Sequence, residues 1–183
     1  MSDVKYLCKS RLIERVEKLN DIYWNKSWLG RWKYMYFVVN ELKRFNPQTI
    51  LELGAYQINL TDISDNMDLK LDRIDVNNLK NKTYVQDAID LPWNIPDKHY
   101  DVFVALQVFE HLKNEKQSEV FSEISRISKN AILSFPYKWN CPSNITHHNI
   151  TDETIRKWTN NQIPEKIICT TGEKKRIIYI FKY

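Results

Sequence analysis

The chain has 183 residues, 43% of them apolar and 27% charged, with a formal net charge of +4. That size and balance describe one globular domain with its own core, and they exclude a disordered chain, a collagen, a coiled coil and a secreted mini-protein. No apolar run reaches the length of a membrane span, and Met1-Ser2-Asp3-Val4-Lys5 lacks the apolar centre of a signal peptide, so a cytoplasmic protein without a membrane partner is expected.

Residues 1–48 hold ten Lys/Arg against five Asp/Glu, whereas the rest hold seventeen against eighteen. The basic front segment reads first as a solvated helix face and second as a contact for an anionic partner. Leu12, Ile13, Val16, Leu19, Ile22 and Tyr23 recur at helical spacing, and a second helix is expected from Ser27 through Met35, Val38, Val39 and Leu42 until Asn46-Pro47 stops it. Together they make an N-terminal helical cap, residues 1–46, rich in aromatics such as Trp28, Trp32 and Tyr34, some of which could line an acceptor pocket.

From Pro47 the pattern changes to short apolar runs. Thr49–Gly54, Lys82–Asp87, Asp101–Leu106 and Asn130–Phe135 read as strands, the third apolar on both faces as a central parallel strand should be. Val120, Phe121, Ile124 and Ile127 mark an amphipathic helix between the last two. Thr151-Asp152-Glu153 opens another helix with acids in its first turn, and Lys166–Cys169 with Arg176–Phe181 flank a turn holding Gly172. The expectation is a three-layer, Rossmann-like α/β domain over residues 47–183, its sheet mostly parallel with an antiparallel C-terminal hairpin strand. Cys8, Cys141 and Cys169 have no paired spacing and give neither a zinc site nor a disulfide framework.

In a doubly wound sheet, ligands bind beyond the carboxyl ends of the strands. The residues delivered there are Glu52 and Gly54, then Asp68 or Asp75, then Asp87 and Ala88, then Gln107 with Glu110 and His111, and finally Pro136–Trp139 with His147 and His148. This set resembles the class I S-adenosylmethionine (SAM)-dependent methyltransferases of the type 11 kind. Leu51-Glu52-Leu53-Gly54 is similar to the family's first motif, Asp87-Ala88 to its adenine-binding turn, Tyr100–Leu112 to its fourth strand and following helix, and Ala131–Pro136 to its fifth strand. The resemblance implies SAM as cofactor. Glu52 and Gly54 would then face its methionine part, an acid past the second strand its ribose hydroxyls, Asp87 and Ala88 its adenine, with Gln107 at the next strand end.

Two departures bear on that site. Tyr56 stands where the family has a second glycine, and is expected to reshape the loop and narrow the cofactor pocket. Only 33 residues separate Gly54 from Asp87, short for two full crossovers. Asp68 leaves 19 residues for a helix before Asp87 and Asp75 leaves 12, so the spacing prefers Asp68 as the ribose acid.

Methyl transfer to a hydroxyl is helped by a base beside the acceptor, and His147, His148 and His111 are the candidates. Gln107-x-x-Glu110-His111 with a later histidine also resembles the metal site of the small-RNA 2′-O-methyltransferases. Glutamine replaces its first carboxylate, so the reading favours a site without a metal while leaving a divalent ion open. No Asn/Asp-Pro-Pro-aromatic sequence or Pro-Cys nucleophile of base methylases is present, and a nucleic acid is not expected. The expected activity is O-methylation of a small molecule, a saccharide being the favoured class. A methyltransferase-like binding protein that has lost the donor, and an RNA methyltransferase using the basic front segment, are the alternatives.

Overall fold

In a computed structural model, residues 26–54, 70–76, 84–113, 115–171 and 174–183 are described. The helix expected over 12–23 and the first crossover, 55–69, lie outside them. Helix α1 spans Lys26–Phe45 and ends where Asn46 turns to a φ of 46° before Pro47. The strands are β1 (Thr49–Leu53), β2 (Lys70–Asp75), β3 (Tyr84–Val85), β4 (Val102–Leu106), β5 (Asn130–Pro136), β6 (Lys166–Cys169) and β7 (Arg176–Lys182). Helices α2 (Gln117–Ile127) and α3 (Asp152–Trp158) complete the layers, with 3-10 turns at Phe109–His111 and Ile145–His147.

The strands form one sheet in the order β3-β2-β1-β4-β5-β7-β6, parallel throughout except for β7, which runs antiparallel to both its neighbours. Alternation along β4 divides the core. Val102 and Val104 join Ile50, Ile132 and the Tyr34, Val38 and Leu42 stripe of α1 on one face. Phe103 and Ala105 join Leu133, Phe135 and the Val120, Phe121, Ile124 and Ile127 stripe of α2 on the other. Each such fully buried side chain contributes about 1.5–3 kcal/mol, so α2 is held by its face more than by helix propensity. From the middle of α2, Phe121 meets Phe181 of β7 edge-on, ring centroids 5.0 Å apart. Thr151 caps α3 through a reciprocal arrangement with Thr154, and Asp152 and Glu153 occupy the first turn as the sequence predicts.

The three-layer architecture and the terminal hairpin are those expected, but the strand list needs two corrections. Lys70–Asp75 is a full strand paired to β1 along its length, and the run expected over 82–87 is reduced to Tyr84–Val85. Strand β2 carries charges on both faces, which disguises it as a surface segment. Asp72 is buried because it accepts a hydrogen bond from Tyr100 Oη at 2.7 Å, and Arg73 because it pairs with Glu52. No helix among the described residues is long and apolar enough to cross a membrane.

Candidate active site

The chain runs outward from β1 to β2 and β3, then returns to β4 on the other side of β1. That reversal leaves a crevice at the carboxyl ends of β1 and β4. A cavity of about 700 Å³ lies there, within the range of small-molecule sites.

Three sides of the cavity follow from strand ends. Strand β1 brings Glu52 and Gly54. Glu52 is buried, and its Oε2 accepts a hydrogen bond from Arg73 Nε at 3.2 Å, both side chains being at most 4% exposed. Gly54 has a φ of +74°, and its N–H donates to the Ile74 carbonyl at 3.0 Å. A Cβ there would lie 2.6 Å from Val108 Cγ2, so the glycine lets the loops after β1 and β4 abut. Strand β2 ends in Asp75, buried and on the cavity wall. Asp68, preferred from spacing, lies outside the described residues, as does Tyr56. Past β3 come Gln86, Asp87 and Ala88. Asp87 Oδ1 accepts from the Ile89 amide at 3.3 Å, an Asx-type turn that fixes the carboxylate at the cavity edge.

Strand β4 brings Gln107, whose φ of 60° is a strained value for a non-glycine residue. Its amide group is turned toward β5, Nε2 donating to Ser134 Oγ at 3.2 Å. The 3-10 turn after it presents Glu110, whose side chain is fully buried, and His111, which lines the cavity. The loop after β5 returns over this turn. It places His147 Nε2 3.7 Å from Glu110 Oε1, with the His111 and His147 rings edge-to-face at 4.9 Å. His148 is exposed, and its Nδ1 accepts from the Cys141 amide at 3.2 Å, a brace within the loop. Of the three candidate histidines, the fold thus brings together two.

Sequence reasoning named Asp75 as the alternative ribose acid, Glu110 as a strand-end residue and Tyr34 as one of several aromatics that could line a pocket, but it did not single out Gln86 or Val76. Tyr34 of α1 lines the cavity and covers the buried Arg176 guanidinium at 5.1 Å, which stacks on Trp139 at 5.0 Å on its way to His147. No sequence spacing encodes that chain of contacts. Gln86 was visible as the neighbour of Asp87, and its Nε2 is buried without a hydrogen-bond partner among the described residues.

These residues suit a nucleoside-bearing cation. A carboxylate at the β2 end, a second at the β3 turn and an unsatisfied buried amide supply acceptors and a donor for hydroxyl and amino groups, and the exposed Val76 next to Asp75 offers an apolar surface to a base.

The family model of a methyltransferase domain matches residues 45–133. No curated protein matches the chain. Among solved structures, the fold is similar to the N-methyltransferase NodS from Bradyrhizobium japonicum WM9 in complex with S-adenosyl-l-homocysteine, at 13% identity, 94% of this chain and 96% of that one covered, and a TM-score of 0.66. It is similar to a SAM-dependent methyltransferase from Clostridium acetobutylicum ATCC 824, at 13% identity, 80% and 89% covered, TM-score 0.60. It is also similar to the N-terminal domain of EvdMO1 in the presence of S-adenosylhomocysteine (SAH) and D-fucose, at 13% identity, 79% and 80% covered, TM-score 0.57. Residues 45–133 thus match the model of a methyltransferase domain, and the fold is the one that solved SAM-dependent methyltransferases share. SAM is the cofactor of that class.

Proposed function

We propose that the protein transfers the methyl group of SAM to a hydroxyl of a small-molecule acceptor, a saccharide being the favoured class. The observation that carries this reading is that Asp75, Gln86 and Asp87 share one cavity with His111, so donor-binding and proton-handling groups face the same space. Asp75 is the acid for the ribose hydroxyls, since it is the carboxylate at the end of β2. Asp87 and Ala88 take the adenine, and Glu52, Gly54 and Tyr56 the methionine end. Gln107 holds the strand end in register through Ser134.

SAM, when bound, supplies an electrophilic methyl group on a sulfonium. The protein aligns donor and acceptor and excludes water. The cluster of His111, His147 and Glu110 receives the acceptor's hydroxyl proton as its oxygen bonds to the methyl carbon and the carbon–sulfur bond breaks, leaving neutral SAH. His148 supports the loop that carries His147. The N-terminal domain of EvdMO1 was crystallised in the presence of D-fucose and NodS is an N-methyltransferase; the histidine cluster is what favours oxygen in this reading.

The test is calorimetry with SAH, followed by transfer of labelled methyl from SAM to panels of saccharides and of amines. SAH binding with label on a saccharide hydroxyl is the expected result. Label confined to amines would overturn the hydroxyl assignment, and absence of SAH binding would overturn the whole reading in favour of a protein that has lost its donor.

A further inference from the structure

We propose that the acceptor carries an oxyanion, a carboxylate or a phosphate, and that Arg176 is the residue that selects it. This inference rests on the methyl-transfer reading above and names the class of acceptor within it. Charge is divided along the sheet. Strands β1 and β2 and the turn after β3 bring acids to the cavity: Glu52, Asp75 and Asp87. On the other side of β1 the rim carries cations. Lys113 follows β4 and lines the cavity, Lys138 follows β5, and Lys174 and Lys175 lead into Arg176 at the start of β7. The acids suit a sulfonium donor with hydroxyl and amino groups, and the cations suit a second molecule of negative charge.

Arg176 reaches this rim because β7 is antiparallel. The strand begins where β5 ends, with Arg176 in register with Pro136. Its guanidinium lies over the Tyr34 ring at 5.1 Å and over the Trp139 ring at 5.0 Å. Tyr34 lines the cavity, and the Trp139 ring packs against that of His147 with centroids 5.7 Å apart. Arg176 therefore stands one aromatic ring from the cavity on one side and one from the proton-handling cluster on the other. Trp139 Nε1 and the Tyr137 amide both donate to the Lys175 carbonyl, which ties the loop after β5 to the residue before Arg176.

Arg176 is only 6% exposed, and an opposite charge is favoured there far more than at a wet surface. Its rigid planar fork of N–H donors matches the oxygens of a carboxylate or phosphate, whereas a lysine offers a point charge. The acid on the neighbouring helix, Asp152, accepts from Tyr137 Oη at 2.6 Å and from Tyr179 Oη at 3.2 Å, with Lys138 Nζ at 3.8 Å. The exposed Lys113 and Lys174 add a field that draws an anion toward the rim.

The experiment titrates the full chain, with and without SAH, with glucuronate, inorganic phosphate and glucose by calorimetry and thermal shift. At least one of the two anions should bind at least about tenfold more tightly than glucose, and more weakly as salt is raised. Glucuronate alone identifies a carboxylate, and phosphate alone a phosphate ester. Arg176→Gln should remove that preference while leaving SAH affinity unchanged; Lys113→Ala and Lys174→Ala should lessen it, and Lys157→Ala on α3 should not alter it. In methyl transfer, acidic saccharides should exceed their neutral counterparts, and Arg176→Gln should erase the difference through KM with little change in kcat. Anions bound no more tightly than glucose, or a folded Arg176→Gln that keeps the preference, would overturn the proposal. So would an Arg176→Gln that loses SAH, because the anion held would then be the donor's own carboxylate. Should Arg176→Gln not fold, the preference of the parent and its loss with salt still decide, and a preference indifferent to salt overturns the proposal. Neutral saccharides methylated as readily as acidic ones uphold the methyl-transfer reading and refute this inference. Anion preference in a chain that binds no SAH upholds the anion site and refutes the methyl-transfer reading.

Discussion

Glu52 Oε2 and Arg73 Nε meet at 3.2 Å across the first two parallel strands, with both side chains out of solvent. The pair does two jobs. It makes a charged strand acceptable in the sheet interior, and it holds the carboxylate at the cavity wall in one orientation. Removing the acid leaves a buried guanidinium without that carboxylate, which typically costs about 3–5 kcal/mol. Glu52→Ala should therefore lower the urea midpoint strongly. A parent-like midpoint would show that the pair does not support the sheet.

Gly54 is constrained by its backbone as well as by its neighbours. Alanine there must hold a φ of +74° at about 1–2 kcal/mol and meet Val108 Cγ2 at 2.6 Å. Gly54→Ala should lose stability, and Val108→Ala in the same chain should recover the steric part but not the backbone part. A double-mutant cycle in denaturant with no coupling between the two positions would contradict this contact.

Asp101 links the start of β4 to β1 and to the segment before it. Burial alone would raise its carboxyl, but the Lys129 ammonium at 2.7 Å and the Gln48 and Thr49 amides hold it down, from an ordinary 3.8 to about 2. A depressed folded-state value contributes stability above the unfolded pKa, and that contribution is lost as pH falls toward the folded one. Stability should thus decline between about pH 4 and pH 2. Asp101→Asn should lack that component of the acid transition, measured by chemical denaturation at each pH, and an unchanged acid profile would remove the assignment.

Asp75→Asn should weaken SAH binding by about 10- to 100-fold, the equivalent of one hydrogen bond to a charged group at about 1.5–3 kcal/mol. Calorimetry on the folded variant measures this directly. Undiminished affinity would return the ribose role to Asp68.

Much of the fold was legible in the chain because it depends on local patterning. Apolar runs at β1, β4 and β5, the helical stripe of α2, the Thr151 cap and the turn between β6 and β7 each satisfy a rule that neighbouring residues fulfil among themselves. Strand β2 escaped for the opposite reason. Its buried charges are tolerated only because Glu52 and Tyr100, from other strands, supply their partners. With β2 hidden, spacing alone preferred Asp68, which lies outside the described residues, over Asp75, the residue that closes the strand.

The same division runs through the site. Composition, strand order and the residues at strand ends determined that this chain builds a wound sheet with a nucleoside-type crevice, since hydrophobic periodicity and turn chemistry act over short distances in the sequence. Which histidines meet, and that the buried Glu110 joins them, depends on the loop after β5 lying over the turn after β4, and Tyr34 reaches the cavity because α1 packs on the sheet. Contacts between distant segments are set by packing of the whole sheet, and no local pattern records them.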